Sequence, residues 1–161
     1  TGLVETWLNG INVEKRIRQP EISATVSEIS AIKAIRDEMV AQQRKIGMGR
    51  GVVMDGRDIG TVVFPDAELK VFMSASLDAR VARRKAELEI LGQFPTESDI
   101  QTNLLHRDFV DTNRKESPLR KAEDARDLDT TSLSIEEQVE LVTKWASELI
   151  ESVNVSSSCG K

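Results

Sequence analysis

The sequence predicts an α/β domain in which helices flank a parallel sheet, and three observations predict it. Ile22, Val26, Ile29, Ile32, Ile35, Met39 and Val40 recur at spacings of three and four, the periodicity of a helix that buries one side. Val52-Val53-Met54 and Leu69-Lys70-Val71-Phe72-Met73 are short apolar runs of the kind a buried parallel strand shows. Helical stretches of about ten to fifteen residues alternate with such runs, the order that builds parallel sheets.

The elements follow in order. Leu3 to Val13 alternates loosely around Asn9-Gly10, a dipeptide that accepts positive φ, so a small antiparallel hairpin is expected. Glu21 to Ile46, with Pro20 just ahead, is expected as one helix or two in succession. Gly47-Met48-Gly49-Arg50-Gly51 breaks it, Val52 to Met54 forms a strand, and a loop begins at Asp55. The strand Leu69 to Met73 leads through Ser74 to Asp78, which can cap a helix from Leu77 to Leu91 that Gly92 ends. Glu97 to Arg107 is helical, and the polar stretch from Asp108 to Asp124, with Pro118, is expected to be solvated and mobile. Asp127 to Thr131 is a short strand. Ser134, with Glu137 three residues on, caps a last helix from Ile135 to Ile150, and residues 153–161 are expected as a disordered tail.

Composition excludes several classes. The chain has 161 residues, 39% of them hydrophobic, enough for one domain with a core. A net charge of −5 argues against a general nucleic-acid binder, so any anion site must be a local cluster. Cys159 has no partner in the chain, which fits a reducing cytoplasm. No apolar stretch approaches the ~20 residues of a membrane span and no leader pattern opens the sequence, so no membrane partner is expected.

Two features could carry chemistry. Asp55-Gly56-Arg57-Asp58 follows the expected strand at the sheet edge where α/β proteins bind ligands. There Arg57 can grip a phosphate with two parallel hydrogen bonds and Asp58 can orient it; a polar turn with an exposed ion pair is the plainer alternative. Arg80, Arg83 and Arg84 on one helix, and Arg107, Asp111 and Arg114 further on, repeat at spacings that share a face. They suggest a multiply charged anion, or else two solvated faces laced with salt bridges. His106, the only histidine, supports no nucleophilic triad and is expected to face solvent. Trp7 and Trp145 are expected in packing. No metal-ligand spacing occurs.

Four blocks taken together resemble the bacterial cytidylate kinases. They are residues 55–66 (Asp55-Gly56-Arg57-Asp58-Ile59-Gly60-Thr61-Val62-Val63-Phe64-Pro65-Asp66), Arg107-Asp108 with Asp111 and Asn113-Arg114, Ser117-Pro118-Leu119, and residues 129–137 from Asp129 to Glu137. The resemblance implies a P-loop nucleoside monophosphate kinase fold. Within it, residues 1–46 would be part of the monophosphate-binding insertion, 47–106 core, 107–124 a lid, and 125–152 the last core strand and helix. It also implies transfer of the γ-phosphate of ATP to CMP or dCMP with Mg2+ on the phosphates, in a monomeric parent. Ser27 and Arg36 match base-reading positions and Asp58 a member of the monophosphate pocket. Arg57 matches a contact to the acceptor phosphate, Arg107 and Asp111 residues near the sugar, and Arg114 a lid arginine. Arg80, Arg83 and Arg84 match a basic helix facing the ATP phosphates.

The sequence also departs from that pattern. No segment matches the phosphate loop Gly-x-x-Gly-x-Gly-Lys-Gly-Thr, and Val110 stands where the family often has arginine. These 161 residues are therefore expected to be a piece of a kinase, inactive alone; a catalytically silent nucleotide-binding module and an interaction domain on a kinase scaffold are the alternatives. The resemblance further implies a strand between Val52–Met54 and Leu69–Met73. Without it, those two runs are expected either to close on each other or to receive a strand from another chain or a further segment, with association through exposed strand edges.

Overall fold

The computed structural model describes the backbone of residues 5–49 and 51–158, and side chains as far as residue 152 except those of 20, 21, 23, 24 and 27. It is a mixed α/β structure with two small sheets.

The hairpin forms where the sequence places it. β1 (Trp7–Leu8) pairs antiparallel with β2 (Ile11–Asn12). Asn9 and Gly10 both take positive φ, 50° and 77°, the requirement of the type I′ turn that matches strand twist. Glu14 closes its base, accepting from the Thr6 amide (3.1 Å) and hydroxyl (2.8 Å). Trp7, expected in packing, is instead exposed, because a two-stranded ribbon this short has no second layer to cover it.

The long amphipathic stretch resolves into two helices, α1 (Pro20–Ser30) and α2 (Lys33–Gly47). A π-helical turn follows at Ile59–Val63. β3 (Val71–Ser74) leads into α3 (Leu77–Ile90), which the Ser76 side chain caps by accepting from the Ala79 amide. Gly92, at φ 74°, ends α3: Gln93 N donates to Leu88 O (2.9 Å) and Gly92 N to Glu89 O (3.0 Å), a Schellman motif that only a left-handed residue can make cheaply. α4 (Glu97–Asn113) opens on a Thr96/Asp99 capping box, and α5 (Ile135–Ser158) on a reciprocal Ser134/Glu137 pair.

β3 pairs in parallel with β4 (Arg126–Asp129), in the register Val71↔Arg126 to Ser74↔Asp129. Arg126 N to Lys70 O (2.9 Å) and Thr130 N to Ser74 O (2.8 Å) extend the ladder at both ends. The crossover between the strands contains α3 and α4, which pack on each other, as a parallel connection demands.

Three expectations need correction. Val52–Met54 is not a strand: Val53 is fully exposed and Val52 half exposed. A strand needs a hydrogen-bonded neighbour, and among the described residues β3 takes only β4; Val71 pairs with Arg126, so Val52–Met54 does not close on it. α4 continues past Arg107 to Asn113, so the first part of the supposed mobile loop is helix, with Asp111 and Arg114 buried. α5 runs beyond Ile150 to Ser158, since no glycine or proline interrupts it before Gly160.

The core is small. Val13, Val63, Leu88, Ile100 and Leu128 are the buried apolar residues among those described. The accessible surface is 12001 Å², whereas a compact monomer of 17.9 kDa exposes about 8,000 Å². Met48, Val53, Met73, Ile135 and Val139 are among the exposed large apolar residues.

Candidate anion site

The site is built on the π-turn. The Asp58 carbonyl accepts from the amides of Thr61 (3.3 Å), Val62 (2.8 Å) and Val63 (3.2 Å), and Phe64 N closes the wide turn on Ile59 O at 2.7 Å. Such turns are uncommon and frequent at functional sites. Gly56 leaves room just before it, since a Cβ there would stand 2.9 Å from two carbons of the Ile59 side chain, which would have to shift.

Asp58, 3% exposed, pairs through its carboxylate with the guanidinium of Arg36, whose side chain is 11% exposed. Arg57 points the other way. Its Nε donates to Asp111 Oδ2 at 2.9 Å, while Asp111 Oδ1 lies 3.5 Å from Arg114 Nη1. Asp111 therefore holds two arginines from inside α4. Arg114 is almost completely buried; its Nε donates to Ser117 O (2.8 Å) and its Nη1 to Ser30 Oγ (3.4 Å), and Nη2 has no hydrogen-bond partner among the described residues. Burial lowers the Arg114 pKa, and the nearby Arg36 charge pushes the same way.

Beside this cluster a cleft of about 250 Å³ is lined by Arg57, Arg80, Arg83, Arg84, Arg107 and Leu104, with Glu87 and Asp108 at its walls. Five arginines against two carboxylates give a local charge of +3 (5 − 2) in a chain whose net charge is −5. The Arg107 guanidinium is lowered in pKa, first by burial and then by the Arg57 charge, which Asp111 partly offsets. Crowded like charges in a partly buried cleft are the arrangement that a multiply charged anion stabilises.

The three arginines of α3 are held differently. Arg80 reaches across to Asp108 Oδ2 (2.6 Å), and Arg84 pairs along its own helix with Glu87 (3.1 Å). Arg83 lines the cleft yet directs its terminal nitrogens at the Thr130 carbonyl, Thr130 Oγ1 (3.1 Å) and Leu133 O (3.3 Å), tying α3 to the end of β4.

The structure thus brings Arg57, Arg80, Arg83, Arg84 and Arg107 into one cleft, with Asp111 and Arg114 directly behind Arg57. Arg36 and Asp58 form a separate pair at the root of the turn. The Ser27 side chain lies outside the described residues. His106 faces solvent on α4 as expected, and its Nε2 meets Glu28 Oε1 of α1 at 2.8 Å; that hydrogen bond lowers the Glu28 carboxyl pKa. Trp145 lies under the Arg126 guanidinium, 5.4 Å from its ring centre. Lys70, which donates to Pro65 O and to both Asp124 oxygens, was not legible in the sequence, where it sits inside an apolar run. A wider open depression on α5, lined by Ile135, Val139 and Thr143 among others, lacks arginines.

A family model described as cytidylate kinase matches residues 2–148. Among similar curated proteins is the cytidylate kinase of Bacteroides thetaiotaomicron, 51% identical over 148 residues, covering 92% of this chain and 63% of the relative. That of Cytophaga hutchinsonii is 54% identical over 146 residues, 91% of this chain and 62% of the relative. That of Flavobacterium johnsoniae is 44% identical over 150 residues, 93% and 65%. The chain spans somewhat less than two thirds of the length of these relatives.

Proposed function

Because the chain belongs to the cytidylate kinase family, we propose that it supplies the monophosphate-binding and phosphate-steering part of an enzyme that converts ATP and CMP or dCMP into ADP and CDP or dCDP. The five-arginine cleft with Asp111 and Arg114 behind it carries the reading. Phosphoryl transfer asks little covalent chemistry of a protein; it asks that donor and acceptor be aligned and their charge compensated. Arg57, Arg107 and Arg114 are the groups assigned to the transferred and acceptor phosphates, Asp111 to the sugar, and Asp58 to the monophosphate pocket. Ser27 and Arg36 are assigned to the cytosine, and Arg80, Arg83 and Arg84 to the ATP phosphates. Residues 1–46 act as the monophosphate-binding insertion, and 107–124 as the lid that closes over it.

Magnesium would arrive on the phosphates and neutralise their charge. The described residues offer no convergent set of three His, Cys, Asp or Glu side chains to hold it, so the chain's own part is taken from its arginines.

These 161 residues alone are inactive on this reading, because no segment matches the anion nest and lysine that hold the β- and γ-phosphates. The large apolar surface is consistent with a further body covering it. The test compares ADP formation by this chain and by a protein of the relatives' full length. CMP-dependent ADP from the 161-residue chain overturns the inactivity. In the longer protein Arg36→Met lowers the ratio of CMP to UMP turnover; an unchanged ratio overturns the base-reading role.

A further inference from the structure

The carbonyls at the end of the π-turn have no helix after them, since Phe64 is non-helical (φ −128°, ψ 72°), and such groups need a partner from outside. Arg44 of α2 supplies it. Its Nε donates to Val63 O (3.1 Å) and its Nη2 to Val62 O (2.6 Å), a fork across two successive carbonyls. Arg36, eight residues earlier and about 12 Å back along the same helix, takes the Asp58 carboxylate at the start of the turn. α2 therefore grips both ends of the segment that follows Arg57. Gly47 makes the approach possible at the far end, where a Cβ would stand 2.3 Å from the Phe64 ring.

We propose that Arg44 is a positioning residue: by capping the π-turn from α2 it fixes where Arg57 and Asp58 stand, so monophosphate affinity depends on a side chain that does not touch the nucleotide. The inference rests on the reading of Arg57 and Asp58 as monophosphate contacts. Arginine is needed because its planar fork spans two acceptors at once, whereas a lysine ammonium offers a single point. When α2 moves, the turn moves with it, and the base-facing and phosphate-facing groups remain one unit.

The test uses the 161-residue chain labelled with 15N and titrated with CMP, comparing the parent with Arg44→Met, Arg44→Lys and Lys45→Met. Lys45 is an exposed neighbour of equal charge and controls for long-range electrostatics. Arg44→Met is expected to weaken CMP binding on the order of tenfold, the loss of one charge-assisted capping interaction; Arg44→Lys weakens it less, and Lys45→Met leaves it unchanged. The Arg57 Nε–H resonance, held in the parent by Asp111, should shift and broaden in Arg44→Met without ligand. An Arg44→Met protein that keeps both the parent affinity and the parent Arg57 resonance overturns the proposal, as does an equal loss in Lys45→Met. If Arg44→Met does not fold, a folded Arg44→Lys with unaltered affinity and resonance overturns it equally. If the parent itself does not bind CMP, the substrate reading fails for this chain, and the Arg57 resonance alone decides the role of Arg44.

Discussion

Removing the Asp111 carboxylate and removing its partner Arg57 break the same 2.9 Å contact, yet their costs should differ severalfold. The Arg57 side chain is 46% exposed, and when it is lost by Arg57→Ala the buried Asp111 carboxylate still keeps Arg114 at 3.5 Å. Losing one of the two charged partners of such a carboxylate costs about 1–1.5 kcal/mol. Asp111→Ala is another matter, because the Arg114 side chain is only 2% exposed and already has one terminal nitrogen without a partner among the described residues. Stranding a buried guanidinium costs about 3–5 kcal/mol, a large share of the ~5–15 kcal/mol that holds an ordinary domain together. Asp111→Asn keeps one acceptor and should fall between them, near ~2 kcal/mol. Urea unfolding of the three variants, followed by circular dichroism, measures the order directly. Equal costs for Asp111→Ala and Arg57→Ala, or a cost below ~1 kcal/mol for Asp111→Ala, would refute the claim that Asp111 neutralises a buried arginine.

Three further outcomes are expected. Gly47→Ala gains at most ~1 kcal/mol of helix propensity at the end of α2, but its Cβ would meet Phe64 at 2.3 Å and cost about 1–3 kcal/mol. Its thermal midpoint should therefore fall, and pairing it with Phe64→Leu should recover part of the loss. Asp124 has its pKa lowered by the hydrogen bond from Lys70. A carboxyl depressed in the folded state stabilises above its unfolded value and loses that contribution as pH falls through the folded one, so stability should drop below pH ~4 and Asp124→Asn should flatten that limb of an acid titration. Ser134→Ala, which removes the cap accepting from Glu137 N at 3.2 Å, should cost about 1 kcal/mol by urea unfolding.

Local signals were legible because they are local. Asn9-Gly10, Gly92 and the Ser134 cap each act within a few residues, and the structure uses them so. The pairing of α3 arginines with a second basic segment was legible as a pattern of spacings; that they meet in one cleft was not, since it depends on α3 folding back along α4. Two misreadings share one cause. The stretch from Asp108 looked solvated, even though Asp111 and Arg114 were read as sharing a face with Arg107, because burial of a charge cannot be seen without its partner, here Arg57 and Ser30. Val52–Met54 looked like a strand because apolar runs reveal hydrophobicity but not the neighbour that would pair with them. Arg44 gave no signal at all, as an arginine on a helix face reads as solvation until the carbonyls it caps are in view.

The parallel register of β3 and β4 has a consequence for how the chain finds its fold. Val71 and Arg126 meet across 55 positions (126 − 71), and closing a flexible loop of that length costs about 3.5 kcal/mol in chain entropy before any strand pairing offsets it. α3 and α4 shorten the search, because they are consecutive, joined by a tight Schellman turn and a capping box, and pack on each other within residues 77–113. Folding should thus nucleate on this helical pair, with β4 docking late. Substitutions at Leu88 and Ile100, the buried apolar residues of α3 and α4, should slow refolding, whereas a change at Leu128 of β4 should chiefly hasten unfolding. The wall of the arginine cleft lined from α3 and α4 would then take shape ahead of the sheet beside it, with Arg57 joining later.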